Sequence, residues 1–522
     1  MPEGGSPELL DTKLDIHDQR QFELKLNYQP SGTDPESEYL VETYLFVPRA
    51  LNITAETWPR EDFYGDLHNY VRLKVPVLAF GEILGGAHSP LVHLEERRML
   101  GLMGPESELV YDAKMLSCVF RGALRRFALQ MQQRCPQLVR GDPGLSAEDL
   151  LKLARHTVEQ TREVLQRYRS CIATLQSKYA LSPRAQASLR LVDEYLSLTV
   201  EQDFRRVVVD MGCMPHTPEF DALRKELMQH VIADEGYRIQ HNLTSVISPT
   251  SDNEEYSHRL SFLKKFCMNI LFLHVQRGSP RKKWEEVLFA VAAGCSMAFA
   301  LGVALFAQSR YPQASFNFFI IAVMGYMLKD RIKEGLRRLA ALYAGKFLYE
   351  RNTRIMDPVT RDEIGLCREK IDYDRAVKVP DDISAIRAHD DLVTASQGEL
   401  AETVIRYRKR ITLNSEMLPR MGGGIVSGVA DIIRLNVHQL LHDMDDPEHA
   451  IDYIDLGDYS VEKVKAIKSY RVDVAFRFAV DDGRHKQTAL RVVRLILDRN
   501  GIKRMIEIGA SDTMKPVVSA AA

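Results

Sequence analysis

The apolar positions of this chain change their period several times, and each change predicts a different element. Between Gln21 and Pro48, Phe22, Leu24, Leu26 and Tyr28 alternate with Glu23, Lys25 and Asn27, the two-residue period of a half-buried strand. A polar turn, PSGTDPESE, leads into YLVETYLFVP, which predicts a β-hairpin. A third strand, VRLKVPVLAF (71–80), is expected to join it, with Pro76 marking an edge or an early end. From Pro105 to Leu243 the period becomes helical, with helices predicted over 106–134, 147–181, 185–211 and 218–242. In the second of these, Leu151, Val158, Leu165, Ile172 and Tyr179 recur every seven residues, with Ala154, Thr161, Tyr168 and Leu175 between them. That is a coiled-coil heptad, but Leu150, Leu153, Val164 and Cys171 broaden the stripe, so an antiparallel bundle is expected. Ser146 with Asp149 resembles a capping box, and Thr217 followed by Pro218 reads as an N-cap with proline at the first helical position.

The period then disappears into a continuous apolar run. VLFAVAAGCSMAFALGVALFA (287–307) has no charge over 21 residues. As a helix it is about 31 Å long, against a hydrocarbon core of about 30 Å. After the link QSRYPQ comes ASFNFFIIAVMGYML (314–328), which reaches about 27 Å if helical from Tyr311. The expectation is a two-helix transmembrane hairpin. Arg277, Arg281, Lys282 and Lys283 precede it, Lys329, Arg331, Lys333, Arg337, Arg338 and Lys346 follow it, and the link carries Arg310 alone. Positive charge stays on the cytoplasmic side, so both large flanks and both termini are expected there, in a cell or inner membrane. Trp284, Tyr311 and Tyr326 fall near the expected interfaces. Ala290, Gly294, Ala298 and Gly302 form a stripe of small residues that can receive the second helix or the same helix of another copy, giving a homo-oligomer.

Just before the hairpin, HRLSFLKKFCMNILFLHVQRGSPRKKW reads as an amphipathic juxtamembrane segment, or as a helix whose apolar side packs on the bundle. After it, KDRIKEGLRRLAALYAGKFLYERNTR reads as a charged stalk and EIGLCREKIDYDRAVKV as mixed strand. TVIRYRKRITL holds the densest basic patch of this half, Arg406, Arg408, Lys409 and Arg410, read as a solvated face. Towards the carboxyl end, Val472, Val474, Phe476, Phe478 and Val480 alternate, DDGRHK turns the chain, TALRVVRLIL returns, and Asn500-Gly501 predicts a type I′ turn into IKRMIEI. The outer face of this antiparallel meander carries Arg471, Asp473, Arg477, Arg494 and Arg504 and is expected to be solvated.

The resulting fold class is α+β, with six segments: a β-rich region over 1–104, a helical bundle over 105–256, the juxtamembrane segment over 257–283, the hairpin over 284–330, a stalk and linker over 331–400 and an α+β domain over 401–522. A net charge of -2 gives no general attraction to nucleic acid, and none is expected as a partner. Seven scattered cysteines without a CxxC pair predict reduced thiols. The acidic, polar amino terminus has no basic and apolar leader, so no cleavable signal is expected.

Candidate chemistry is sparse. MGGGIVSG (421–428) lacks both GxGxxG spacing and a following Lys-Ser or Lys-Thr, so it is read as a flexible helix entry. His438 and His442 on the helix expected next, with Asp443, Asp445, Asp446 and His449, are the residue types of a metal-dependent hydrolase, with His389-Asp390 as a distant pair. No nucleophile stands beside a base, and no cofactor fingerprint is present. The leading expectation is a membrane-anchored scaffold or regulatory protein, with an unidentified protein partner beside the lipid bilayer. A hydrolase using the His/Asp cluster, and a subunit of an oligomeric transport complex, are the alternatives.

Overall fold

The computed structural model describes residues 10–28, 36–74, 77–100, 105–142, 146–243, 245–278, 280–312, 315–347, 349–357, 361–373, 379–387, 402–414, 416–417, 426, 428–455, 457, 460–481, 486–508 and 515–519. The protein is α+β with antiparallel sheets. It forms two compact units: Met1–Val71, His274–Glu416 and Ala430–Ala522 make the first, Arg72–Leu273 and Met417–Val429 the second.

The chain begins with strands β1 (Leu10–Asp18), β2 (Gln21–Tyr28) and β3 (Glu36–Pro48), helix α1 (Arg60–Asp66) and strand β4 (Leu67–Leu73). The helical unit follows, with α2 (Phe80–Gly85), α3 (Pro90–Leu100), α4 (Glu106–Arg140), α5 (Ala147–Lys178), α6 (Pro183–Asp210), α7 (Pro218–Gln240) and α8 (Glu254–Met268). The chain then returns to the first unit through β5 (His274–Gly278), α9 (Pro280–Arg310), α10 (Phe316–Phe347), β6 (Arg351–Met356), β7 (Glu363–Tyr373), α11 (Asp381–Arg387) and β8 (Glu402–Asn414). It ends with β9 (Val429–Asn436), α12 (His438–Leu441), β10 (Glu448–Ile454), β11 (Val461–Ile467), β12 (Tyr470–Asp481), β13 (Lys486–Asp498), β14 (Gly501–Glu507) and β15 (Lys515–Ser519).

Among the described residues the first unit holds a nine-stranded sheet, β15-β14-β13-β12-β3-β8-β7-β6-β5, and a four-stranded sheet, β1-β2-β9-β4. The two face each other: Tyr28 of β2 lies 4.8 Å from Tyr39 of β3 by ring centroid, and Phe22 of β2 packs edge-on against Phe476 of β12. Lys409 of β8 reaches Asp431 of β9 across this core. The expected hairpin of 21–48 is therefore not formed. β2 pairs with β1 and lies beside β9, whereas β3 sits in the middle of the large sheet between β12 and β8. The reason lies in β3 itself, which is buried on both faces: Tyr39, Val41, Leu45 and Val47 point one way, Tyr44 and Phe46 the other. A strand apolar on both sides belongs inside a sheet. The third predicted strand is shorter and earlier than expected, β4, and Phe80 already opens α2.

The meander β12–β13–β14 forms as expected, but Asp498 stands opposite Gly501, so Arg499 and Asn500, not Asn500 and Gly501, lie at the centre of the second turn. Its turn is not type I′, because at this turn only Gly501, at φ 139°, has a positive φ. The expected solvated face is also partly covered. Asp473 and Arg494 are buried and paired at 2.7 Å, and Arg387 of α11 reaches Asp473 at 3.1 Å and Glu402 at 2.9 Å. Ile383 of α11 packs there with Tyr44, Phe46, Ala475 and Val492, so this short helix closes the outer side of the sheet.

The basic patch of β8 is split by the strand's alternation. Arg406, Arg408 and Arg410 face outward and pair with Glu42, Asp372 and Glu38, while Lys409 turns into the core. The glycine-rich stretch 421–428 lies mostly outside the described residues, and it enters strand β9 where a helix was expected. The turn DDGRHK and the pair His389-Asp390 also fall wholly or mostly outside the described residues.

In the helical unit the four predicted helices appear as α4 to α7, three of them with the expected first residue and all with last residues moved by one to six positions. On α5, Ala154, Val158, Thr161, Leu165, Tyr168, Ile172 and Leu175 are buried together with Leu150, Val164 and Cys171, a stripe too wide for a two-stranded seam and matched to a bundle core. α8 belongs to the same core through Leu263 and Cys267, so of the two readings of this segment the structure shows the one in which its apolar side packs on the bundle. The next residues, 274–278, are strand β5.

Candidate membrane interface

Helices α9 and α10 form an antiparallel hairpin. Alanine and leucine recur along both helices and neither contains an interior proline, and Pro280 stands in the first turn of α9, where its missing N–H costs nothing. The link closes through Tyr311 N donating to Ala307 O at 3.0 Å and Ser315 N to Pro312 O at 2.9 Å. α9 turns Ala292, Ser296 and Ala307 inward, and Gly325 of α10 lies so close to Val303 that an added Cβ would stand 2.7 Å from its Cγ1. Near the base, the Arg337 guanidinium lies 4.4 Å from the centre of the Phe289 ring. The stripe Ala290, Gly294, Ala298 and Gly302 points away from α10: all four are exposed, and a Cβ added at either glycine meets nothing within 4 Å.

The hairpin is an insertion between two paired strands. β5 precedes it and β6 follows it, and they lie side by side with Gly278 opposite Asn352 and His274 opposite Met356. Its exit is pinned by Glu350, which accepts hydrogen bonds from Arg60 Nη1 at 2.6 Å and from the Tyr64 hydroxyl at 3.0 Å, both on α1. Burial, reinforced by Glu350, raises the Tyr64 pKa well above the usual phenol value, so it remains a donor. Arg351 stacks over the same ring at 4.0 Å.

One helix among the described residues is long and apolar enough to cross a membrane, Glu286–Arg310 within α9, and 11% of its apolar part is buried. Val287, Val291, Leu301, Leu305 and Phe306 on α9, with Phe316, Phe319, Val323 and Met327 on α10, are open to the surroundings. α10 does not match it. Helix begins at Phe316, so its apolar part, 316–328, is thirteen residues, or about 20 Å, where the sequence predicted about 27 Å.

The contacts fix how the two apolar stretches are aligned. Phe289 is level with Arg337 and Val303 with Gly325, so Lys329 stands beside residues 298–299 of α9. From there to the base, α9 runs alongside Lys329, Asp330, Arg331, Lys333, Glu334, Arg337 and Arg338. Except for Lys329, these charged residues are exposed. A charge at the centre of a bilayer costs about 2.5–3.5 kcal/mol. Immersing α9 as far as Val287 would take several of them into hydrocarbon.

The other candidate groups do not converge. His438 Nδ1 is 3.1 Å from Asp66, His442 pairs with its neighbour Asp443 at 2.7 Å, Asp445 with Lys468 and Tyr470, and Asp446 with Arg499. His438 lies on the four-residue helix α12, and His449 is the second residue of strand β10. Among the described residues no three His, Cys, Asp or Glu side chains are grouped to hold a metal ion. The helical unit has a cleft of about 760 Å³ lined by Tyr168, Arg169, Asp193, Tyr237 and His241. Its charges answer one another: Arg169 reaches Asp193 at 2.9 Å and Asp234 at 3.4 Å, and stacks on Tyr237 at 3.6 Å. Burial pushes the Asp234 carboxyl up to about 6 despite Arg169.

The two-stranded ribbon β10–β11, joined to neither large sheet, was not singled out by the sequence reading. Both strands are exposed along their length, including Ile451, Tyr453, Ile454, Val461, Val464 and Ile467. Alternation over IDYI and VEKV was the available signal, but it gave no way to tell a ribbon from a sheet strand. No protein-family model, curated protein or solved structure matches the chain.

Proposed function

We propose that this chain is a membrane-anchored scaffold or regulatory protein, held in the bilayer by the α9–α10 hairpin with both folded units on the cytoplasmic side. The observation that carries the reading is the pairing of β5 with β6 around an exposed apolar hairpin. Two strands hydrogen-bonded to each other occupy one compartment, so a chain that enters the membrane after Gly278 must come back before Asn352. The number of crossings is then even, which supports two crossings linked by a short outer turn. Charge supports the orientation: Arg277, Arg331, Lys333, Arg337 and Arg338 lie towards the base, and the link holds Arg310 alone.

The scaffold part rests on the β10–β11 ribbon. An isolated two-stranded ribbon is marginally stable in water, and exposed contiguous apolar side chains mark an interaction surface. A protein partner laid on Ile451, Tyr453 and Val464 would supply the missing cover, since Ile451 and Val464 are directly opposite one another.

Membrane fractionation of the full chain tests the anchor. The protein is expected in the pellet, resistant to high-salt and alkaline washing and released by detergent. Recovery from the soluble fraction without detergent would overturn the reading.

A further inference from the structure

Resting on the membrane-anchor reading, we infer that only the outer parts of the two helices, from Ala298 to Ala307 on α9 and from Phe316 to Leu328 on α10, lie in hydrocarbon, and that the hairpin is built for a bilayer thinner than the usual thickness of about 30 Å. The two helices change character at one level. On α10 the apolar stretch ends at Lys329. On α9, beside it, residues 290–298 contain seven Ala, Gly, Ser or Cys out of nine, whereas 299–306 hold Phe299, Leu301, Val303, Leu305 and Phe306. Residues 290–298 of α9 are uncharged and, apart from the exposed Val291 and Met297, small, and Phe289 below them lies under the Arg337 guanidinium, so leaving this part outside lipid forfeits less apolar burial than withdrawing 299–306 would. The α10 base beside it carries five cations and two anions between Lys329 and Arg338, and immersing it would desolvate them.

Both ends of the embedded part carry the residues that favour a headgroup region. At the near end the Lys329 ammonium lies 4.1 Å over the Tyr326 ring, and at the far end Arg310 adjoins Tyr311 in the link. Arg310 is level with about residue 317 of α10 by the same alignment, so the two cations are some twelve residues apart, about 18 Å along the axis. Long basic side chains reach a few ångströms towards each headgroup layer, which brings this length near to a thin hydrocarbon core but short of a thick one. The alternative of a hairpin that ends inside the bilayer leaves Arg310 at mid-depth without a partner layer, and is disfavoured for that reason.

Native Cys295 is the reporter. It is exposed, lies three residues below Ala298, and would be about 12 Å inside the membrane if α9 were embedded down to Val287. The full chain carrying Cys213→Ser keeps Cys295 as its one exposed thiol. It is reconstituted in phosphatidylcholine vesicles with one-fifth phosphatidylglycerol, using acyl chains of 14, 18 or 22 carbons, and treated with a membrane-impermeant maleimide.

The expected result is rapid labelling of Cys295, protection of an Ile320→Cys thiol in a Cys213→Ser/Cys295→Ala background, and several-fold better incorporation into the 14-carbon than the 22-carbon vesicles. In the same background, Ser309→Cys is expected to label only from the side opposite the folded units. Replacing Lys329, Asp330 and Arg331 together by Leu lengthens the apolar part and should slow Cys295 labelling several-fold. Protection of Cys295 in every lipid, labelling of Ser309→Cys from the same side as Cys295, or incorporation indifferent to chain length would each overturn the inference. If instead the chain fails to float with vesicles and Ile320→Cys labels freely, the membrane anchor itself fails, including the case in which a second copy covers the hairpin in water.

Discussion

Lys409 Nζ lies 2.7 Å from Asp431 Oδ1, and neither side chain is exposed to water. Burial, the largest single influence, would lower the lysine pKa, but Asp431 together with Cys367 and Glu369 outweighs it and leaves the lysine above its ordinary value, with Tyr39 completing the group at 3.4 Å from the other carboxylate oxygen. The pair joins β8 to β9 and so ties the large sheet to the small one. Removing one partner of a buried ion pair leaves the other charge without compensation, at about 3–5 kcal/mol. Lys409→Met should therefore destabilise the sheet unit by that order, read as a lower denaturant midpoint, and Lys409→Met with Asp431→Leu should recover much of the loss. Because the lysine pKa is raised on folding, its contribution is complete below its ordinary value of about 10.4 and is lost only as the pH climbs through the folded-state value.

Asp234 predicts the opposite kind of pH dependence in the helical unit. Its carboxyl, ordinarily at 3.8, is pushed up to about 6 by burial, so the folded state holds its proton more tightly than the unfolded one. Stability from this group is full below pH 3.8 and falls as the pH rises to about 6, by on the order of 2–3 kcal/mol. Asp234→Asn should flatten the melting temperature between pH 4 and 6.5. An unchanged slope in the variant would assign the dependence to other groups.

Gly325 and Val303 set the spacing of the hairpin helices. A side chain at 325 meets Val303 Cγ1 at 2.7 Å, and a β-branched valine has little freedom to move aside. Gly325→Leu should separate α9 from α10 and slow disulfide formation between cysteines introduced at positions 289 and 337 of the otherwise cysteine-free chain, read against Gly294→Leu, where the space is open. For that control the expected effect on helix pairing is small.

The hairpin should be separable from the sheet. Replacing residues 279–350 by a four-residue Gly/Asn turn connects Gly278 to Arg351, which already lie on adjacent antiparallel strands. Loss of the Glu350 anchor to Arg60 and Tyr64 is expected to cost about 1–3 kcal/mol. The product should still melt cooperatively and be recovered without detergent. Aggregation of this variant with loss of sheet signal by circular dichroism would show that the insert is part of the fold.

Turn geometry gives a further check. Gly501 has φ 139°, and a Cβ there would stand 2.1 Å from Gln19 O, which already accepts from Ile502 N. Gly501→Ala should lower stability by about 2 kcal/mol or more, as strain and a backbone clash coincide. Asn500→Ala, at a residue without positive φ, should have a much smaller effect.

Where local pattern decides structure, the sequence was legible. Ser146 and Thr217 cap α5 and α7, Ser146 by accepting from Glu148 N rather than through a capping box with Asp149, and the alternation of Val472 to Val480 is the buried face of β12. What was not legible were the long-range choices. Phe22 to Tyr28 reads as one arm of a hairpin, but its neighbours are β1, adjacent in sequence, and β9, four hundred residues away. The α11 stretch looked like a polar linker because it buries only Ile383 and Arg387, and Arg387 is satisfied there by Asp473 and Glu402, residues no local window contains.

The same holds for the hairpin. The apolar stretch of α9 was visible at once, yet its alignment with the charged base of α10 follows from a helix that starts at Phe316 and a contact at Gly325, neither of which hydropathy reports. His438 and His442 were the right residue types for a metal, but strand β9 runs up to Asn436 and leaves a single short turn, α12, with the first imidazole turned to Asp66.

Placing the insertion between β5 and β6 also governs how mechanical load travels. A pull on the hairpin acts on Gly278 and Asn352 together, at the same end of neighbouring strands, so it does not peel one from the other. Tension passes instead to the β6–β7 ladder, from Arg351 opposite Glu369 to Met356 opposite Glu363, where it acts in shear and the bonds must yield as a group. With the hairpin anchored in a bilayer as proposed, bending or stretching of that bilayer would reach the sheet as a force along its strands.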